Sequence, residues 1–196
     1  MLSRRPPCTR YVLKEKTVTK GSIITANYDP KWPIVYEEEK AKILRAIGNR
    51  VVAIEHVGST AVPGLGAKPI IDIMVGVSHL SDARECIEPL KKIGYEYVPE
   101  YEASIPERRY FRKGPSQVPN RHFHLHMVER TGSFWERHLL FRDFLRAHPI
   151  VARRYYQLKK ELAAKHGSDH EAYTEAKTSF IESVLTKAWK SKSGRQ

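Results

Sequence analysis

The chain has 196 residues, enough for one sizeable core, and its 34 Lys and Arg outnumber its 22 Asp and Glu, a formal net charge of +12. Its two cysteines, Cys8 in a Pro-rich tail and Cys86 on an apolar helical stripe, exclude a disulfide framework and a cysteine-type zinc site, and they point to a reducing, cytoplasmic compartment. No apolar run reaches the length of a membrane span, the basic N-terminus lacks the apolar stretch of a signal peptide, and Pro6-Pro7 interrupts any amphipathic mitochondrial address.

Residues 1–22 carry no periodicity and read as a flexible tail, ending in a short edge strand through Ile23 and Ile24. Asn27-Tyr-Asp-Pro30 is turn chemistry. The spacing of Tyr36, Ile43, Leu44 and Ile47 predicts a helix stopped by Gly48. Val51-Val-Ala-Ile54 predicts a buried strand, followed by a Gly/Pro-rich loop from Ala61 to Pro69. The apolar run from Ile70 to Val77 predicts a second strand, interrupted only by Asp72. Ala83, Cys86, Ile87, Leu90 and Ile93 share one face of a helix over Ser81 to Ile93, closed by Gly94. Tyr95 to Val98 and Arg109 to Arg112 predict short strands. Arg121 to Val128 alternates strictly, with His122, His124 and His126 on one face and Phe123, Leu125 and Met127 on the other.

After Gly132 the period becomes helical. Phe134, His138, Phe141 and Leu145 form one stripe, ended near His148-Pro149. Val151, Tyr155, Leu158 and Leu162 form the next. Ser168 and Glu171 make a capping box for a last helix carrying Tyr173, Ala176, Phe180, Val184 and Ala188. The expected class is α+β: a mixed sheet with packed helices over residues 23–190, a helical C-terminal part over 133–190, and a short tail over 191–196.

The chemistry concentrates between Glu55 and Asp72. A Gly58-Ser59 turn at a strand end lets backbone N–H groups and hydroxyls approach a phosphate. An acid on the next strand holds a metal bridging that phosphate or acts as a base, and Lys68 neutralises remaining charge. Gly58, Ser59, Thr60, Lys68 and Arg109 are therefore candidate phosphate contacts, and Asp72 and His56 candidate catalytic groups. Asp72, His124 and His126 are candidate ligands for one divalent ion, Mg²⁺, Mn²⁺ or Zn²⁺. Each has a plainer alternative. Asp72 is otherwise a structural acid paired with Lys68, Arg109 or a His, the histidines a polar strand face, and Ser59 and Thr60 helix caps. Arg108, Arg109, Arg112 and Lys113 form either a phosphate clamp or a solvated strand edge. His56 either completes a metal site or orients Asp72.

The string Glu55-His-Val-Gly-Ser-Thr-Ala-Val-Pro-Gly-Leu-Gly-Ala-Lys-Pro-Ile-Ile-Asp72 closely resembles the GrpB family. So do Tyr28-Asp-Pro-Lys-Trp32, His124-Leu-His126, Phe141-Arg-Asp-Phe-Leu-Arg146, and Tyr173 with Lys177, so that the likeness runs from about Tyr28 to Leu185. The resemblance implies a nucleotidyltransferase-like fold. It also implies a link to coenzyme A synthesis, because some relatives are fused to dephospho-coenzyme A kinase, and a site role for Lys177. The chain departs from the parent superfamily at Met74, where a second carboxylate is expected, and on the histidine strand, where a third is expected. Two hard metal ions need those acids. Three functions follow as expectations. The first is a divergent nucleotidyltransferase-fold enzyme acting on a nucleotide or another phosphorylated small molecule. The second is a non-catalytic accessory module linked to coenzyme A metabolism. The third is an RNA-binding protein, disfavoured by the lack of an aromatic stacking platform.

Overall fold

A computed structural model describes residues 26–114, 122–166 and 169–193, apart from the side chains of residues 170 and 171. The predicted tail and its edge strand at Ile23 and Ile24 lie outside the described residues. The first described residue, Ala26, forms an antiparallel bridge with Ala67.

Among the described residues five strands make one mixed sheet: β1 (Ala53–Val57), β2 (Ile70–Val77), β3 (Glu96–Tyr97), β4 (Arg108–Lys113) and β5 (His122–Glu129), in the order β1-β2-β5-β4-β3. β2 runs parallel to β5, and every other pairing is antiparallel. β2 is an interior strand covered on both faces, which explains its nearly unbroken apolar run. The strands bearing Ile54 and Ile71 are neighbours, as expected. The first strand starts two residues later than its apolar run suggests: Val52 is exposed, and the buried positions are His56 and Val57.

Period-2 geometry gives the sheet two unlike faces. On one, Ile71, Ile73 and Val75 of β2, Leu125 and Met127 of β5 and Phe111 of β4 pack beneath α1 (Trp32–Ile47) and α2 (Ala83–Lys92). Tyr36, Ile43 and Ile47 face this core, whereas Leu44 is exposed and off the stripe. Each fully buried aliphatic or aromatic residue here contributes about 1.5–3 kcal/mol. On the other face, Val57, Met74 and Val128 meet Phe134 and Trp135 of α3 (Ser133–Ala147). Asp72, His124 and His126 share this second face, at the end of β2 nearer the loop.

The helical C-terminal part comprises α3, α4 (Pro149–His166) and α5 (His170–Ser193). Leu145, Ala152, Tyr155 and Val184 close over Val62 and Leu65 of the Gly/Pro loop, fixing α4 and α5 beside the β1–β2 connection. Pro149 begins α4, a position where its missing N–H costs nothing. Ser168 of the predicted capping box lies outside the described residues. The oxygen that caps α5 belongs to Asp169, whose Oδ1 accepts from Ala172 N–H at 3.0 Å. The helix runs to Ser193, three residues into the predicted tail.

Candidate functional site

β1 delivers the chain to a turn that passes directly over Asp72. Val57 is register partner of Asp72, and Gly58 follows with φ of 71°. A Cβ on Gly58 would lie 2.3 Å from Asp72 Oδ2, so this left-handed, side-chain-free residue is what lets the turn approach the carboxylate. Ser59–Ala61 then form a single 3-10 turn.

His56 stabilises that turn from the far side of the sheet. It registers with Ile73, so it faces α1 and stacks on Tyr36, with ring centroids 4.7 Å apart. Thr60 Oγ1 donates to Ile70 O at 3.1 Å. Its hydrogen is thereby used, so the 3.0 Å contact with His56 Nε2 is an imidazole N–H donating to the hydroxyl oxygen. Burial pushes the His56 ring down to about 4. The sequence placed His56 beside Asp72; the register instead makes it a neutral brace for the turn.

Asp72 does converge with the histidine strand. Asp72 and His124 are register partners across β2 and β5, as are Met74 and His126. Asp72 Oδ1 lies 3.5 Å from His124 Nδ1 and 3.7 Å from His126 Nε2. Burial alone would raise the Asp72 carboxyl, but the two imidazoles outweigh it and hold the group well below the usual carboxylate range. Met74, where a second acid would stand, is fully buried against Phe134 and Trp135.

Arg108 decides the protonation of His126. Both are buried, and Arg108 Nη1 lies 3.2 Å from His126 Nδ1. Guanidinium only donates, so Nδ1 accepts and the proton of the neutral ring sits on Nε2, the nitrogen turned toward Asp72. His126 in this tautomer turns its N–H toward Asp72, 3.7 Å away, and offers no lone pair to a metal. Among the described residues no group of three or more His, Cys, Asp or Glu is arranged to hold an ion. Asp72 and His124 remain as potential ligands.

The opposite wall is built of lysines from three elements. Lys68 ends the Gly/Pro loop, Lys159 comes from α4 and Lys177 from α5, and all three line one cleft of about 700 Å³ with Ser59, Thr60, Asp72 and His124. Lys177 and Lys68 flank the Tyr173 ring, their Nζ atoms 4.2 Å and 5.7 Å from its centroid. Burial pushes the Tyr173 hydroxyl up to about 12, so it stays neutral between them. Lys159 is only 4% exposed and donates to Ser59 Oγ at 3.0 Å and Gly66 O at 2.7 Å.

Lys159 escaped the sequence reading, although it lies four residues after Tyr155 and three before Leu162, on the same buried stripe.

Arg109 does not reach the cleft. It pairs in register with Met127, on the core face, and its guanidinium contacts Pro106 O and Glu102. A strand reverses its face at each residue. The arginines on the histidine face are therefore Arg108 and Arg112, and Arg112 stands opposite His124 at the rim, doubly bonded to Glu96. Two further arginines of α3 hold the turn from behind. Arg142, 8% exposed, donates to Glu55 Oε2 at 2.6 Å and His56 O at 3.0 Å, and Arg146 donates to Ala61 O at 2.9 Å.

Fold and cleft together define an α+β protein that presents a Gly-Ser turn and a lysine wall to one acid flanked by two histidines. The chain belongs to the GrpB family, whose model, described as GrpB protein, matches residues 22–187. It is 40% identical over 168 residues to UPF0157 protein YqkA of Bacillus subtilis, covering 86% of this chain and 48% of that protein. It therefore spans about half the length of that relative. It is 37% identical over 171 residues to the Glutamate-rich protein GrpB of Alkalihalophilus pseudofirmus, covering 86% of this chain and 97% of that one. The crystal structure of conserved protein GrpB from Enterococcus faecalis superposes with a TM-score of 0.75 at 35% identity, over 86% of this chain and 98% of that one. A more distant match, 27% identical over 197 residues, is a Dephospho-CoA kinase of Mycolicibacterium paratuberculosis, of which this chain covers 48%. Among the described residues no helix is long and apolar enough to cross a membrane.

Proposed function

We propose that this protein binds a nucleotide or another phosphorylated small molecule in the cleft between the Asp72–His124 wall and the lysine wall. The observation that carries this reading is that Lys68, Lys159 and Lys177, from a loop and two helices, line one cleft with Ser59. A cleft lined by three basic side chains concentrates anions. A phosphate meets them with charge-assisted hydrogen bonds.

In this reading Gly58, Ser59 and Thr60 receive the phosphate, and Lys68 and Lys177 hold its charge. Asp72 faces it from the inner wall. Mg²⁺ is commonly held by one or two carboxylates together with substrate phosphates. Asp72 with His124 fits an ion of Mg²⁺, Mn²⁺ or Zn²⁺ that arrives with the ligand better than a resident cofactor, because His126 offers a proton and Met74 offers nothing. The reaction that suits one carboxylate is single-metal transfer of a nucleotidyl group from a nucleoside triphosphate with pyrophosphate leaving, Asp72 helping to hold the ion and orient the acceptor.

The second reading is a binding module without transfer chemistry, serving coenzyme A metabolism. Two observations favour it: the apolar packing of Met74 where a second acid would act, and the match to part of a Dephospho-CoA kinase. Thermal-shift screening against nucleoside triphosphates, coenzyme A precursors and sugar phosphates tests binding. Radiolabel transfer from α-labelled triphosphates then separates the two readings. Failure of every phosphorylated compound to raise the melting temperature sinks both.

A further inference from the structure

Lys159 is buried without an opposing charge. Its Nζ is bonded to the Ser59 hydroxyl and the Gly66 carbonyl, both neutral. Among the described residues no carboxylate forms an ion pair with it. The rings of Tyr155 and Tyr156, on its own helix, lie 5.0 Å and 5.8 Å from the ammonium. The charged groups it feels are Lys177 of α5, which opposes its protonation, and Asp72 of β2, which favours it less strongly. Lys68 of the loop, His124 of β5 and the neutral Tyr173 of α5 line the same cleft.

A buried ammonium is costly unless paired, and the group then neutralises instead. Burial, reinforced by Lys177, pushes Lys159 down to about 7. Asp72 does not serve as its partner, because its carboxylate is already shared by two imidazoles. Ser59 is half-buried and lines the cleft, so a group that meets the Ser59 hydroxyl also meets the Lys159 amine.

We propose that Lys159 is an anion-binding residue whose counter-ion is a multiply charged phosphate group of the ligand, so that binding is coupled to uptake of a proton by Lys159. The inference rests on the cleft binding a phosphorylated ligand. It adds the residue at the centre of the contact and a pH dependence. The neutral amine straps the Gly/Pro loop to α4 in the empty cleft. When the phosphate arrives, the amine takes a proton from solvent and its charge is then paired. An anion of higher charge is preferred, because it pairs more strongly with the charged Lys159.

Calorimetry with ATP tests this, at pH 8 in two buffers of different ionisation enthalpy. At that pH a terminal phosphate, with a second pKa of about 6, is already fully ionised. The wild type is expected to take up about one proton per ATP bound, and its affinity to fall up to about tenfold per pH unit above pH 8. Lys159→Arg, which is always charged, is expected to bind without proton uptake. Lys159→Met is expected to lose at least tenfold in affinity and all of the uptake. ATP binding to the wild type with no proton uptake overturns the role of Lys159 and leaves the cleft as the phosphate site. Unchanged affinity and uptake in a folded Lys159→Met variant does the same. No ATP binding to wild type or either variant overturns both.

Discussion

Asp72 Oδ1 and His124 Nδ1 stand 3.5 Å apart because the two residues are register partners across the parallel pair β2 and β5. A slip of one residue in either strand would turn one of them to the opposite face. With His126 on the same oxygen, the carboxylate is held ionised well below its ordinary range. Its folded-state pKa is thus depressed, so its stabilising contribution is complete above the ordinary carboxylate range and is lost as pH falls below it. Asp72→Asn is expected to flatten the acid limb of a melting-temperature profile and to abolish any Mg²⁺ dependence of ligand binding. A variant that keeps both wild-type behaviours would remove Asp72 from the site.

Imidazoles that stay neutral in the fold supply a second pH dependence, His126 among them. His56 and His138 are each pushed down to about 4 by burial. His138 donates from Nδ1 to Phe134 O at 2.7 Å and stacks on the Phe134 ring. Both groups are depressed relative to the unfolded chain, so the unfolded state binds more protons between pH 6.5 and 4. Stability therefore declines as pH falls through that window, by up to about 1.4 kcal/mol per pH unit for each ring. Denaturant titrations at pH 7, 6 and 5 measure the slope. His138→Phe is expected to reduce it by up to about 1.4 kcal/mol per pH unit, and an unchanged slope would show that His138 is not neutral in the folded state.

Gly58 is where backbone conformation and site geometry meet. With φ of 71° and Asp72 Oδ2 only 2.3 Å from a hypothetical Cβ, Gly58→Ala must move the carboxylate or the turn. The expected loss is about 1–3 kcal/mol of stability from the strained conformation, with a larger relative loss of ligand binding. Gly64, also at positive φ but with open space around it, is the control. Gly64→Ala should destabilise without touching binding. Equal effects of the two substitutions on binding would separate Gly58 from the site.

Much of the architecture was legible in local periodicity. The bounds of β2 follow from its apolar run, and the alternation of His122 to Met127 assigned β5 its two faces before any partner was known. The C-terminal helices are visible as stripes. Three features were not legible, for reasons that are physical. Arg108 and Arg109 are adjacent, and only the register with β5 tells which one faces His126. His56 and Asp72 lie on neighbouring antiparallel strands, and their opposite faces depend on a pairing that no local pattern encodes. Lys159 sits on an apolar stripe, where a long basic stem reads as a helix face reaching solvent; its burial comes from the Gly/Pro loop packing against α4, a contact between segments about 95 residues apart.

The paired arginines of α3 separate fold from function. Arg142 ties β1 to α3 through Glu55 Oε2 and His56 O. Removing a buried guanidinium leaves those acceptors without their donor, so Arg142→Ala is expected to cost about 2–4 kcal/mol. Chemical denaturation should show the loss in the midpoint with little change in slope. A loss below about 0.5 kcal/mol would mean that the turn is held without Arg142, by its other contacts.

The lysine wall gives the sharpest test of the cleft. Lys68 and Lys177 flank one neutral ring, Tyr173, and face the turn carrying Ser59. If both contact the same phosphate, Lys68→Ala and Lys177→Ala each cost about 1.5–3 kcal/mol of binding, the range for hydrogen bonds to charged groups. Ser59→Ala costs less, about 0.5–1.5 kcal/mol, as a neutral donor. Arg109→Ala costs nothing, because its guanidinium is bonded on the other face of the sheet. Affinity falls with added salt, since the lysines lie in an open cleft. The double variant of Lys68 and Lys177 should lose less than the sum of the single losses, because a phosphate released by one lysine is no longer fixed against the other. Isothermal titration with the best hit of the thermal screen measures all five variants. Strict additivity would place the two lysines on different anions, and a loss in Arg109→Ala equal to that in Lys68→Ala would move the ligand out of this cleft.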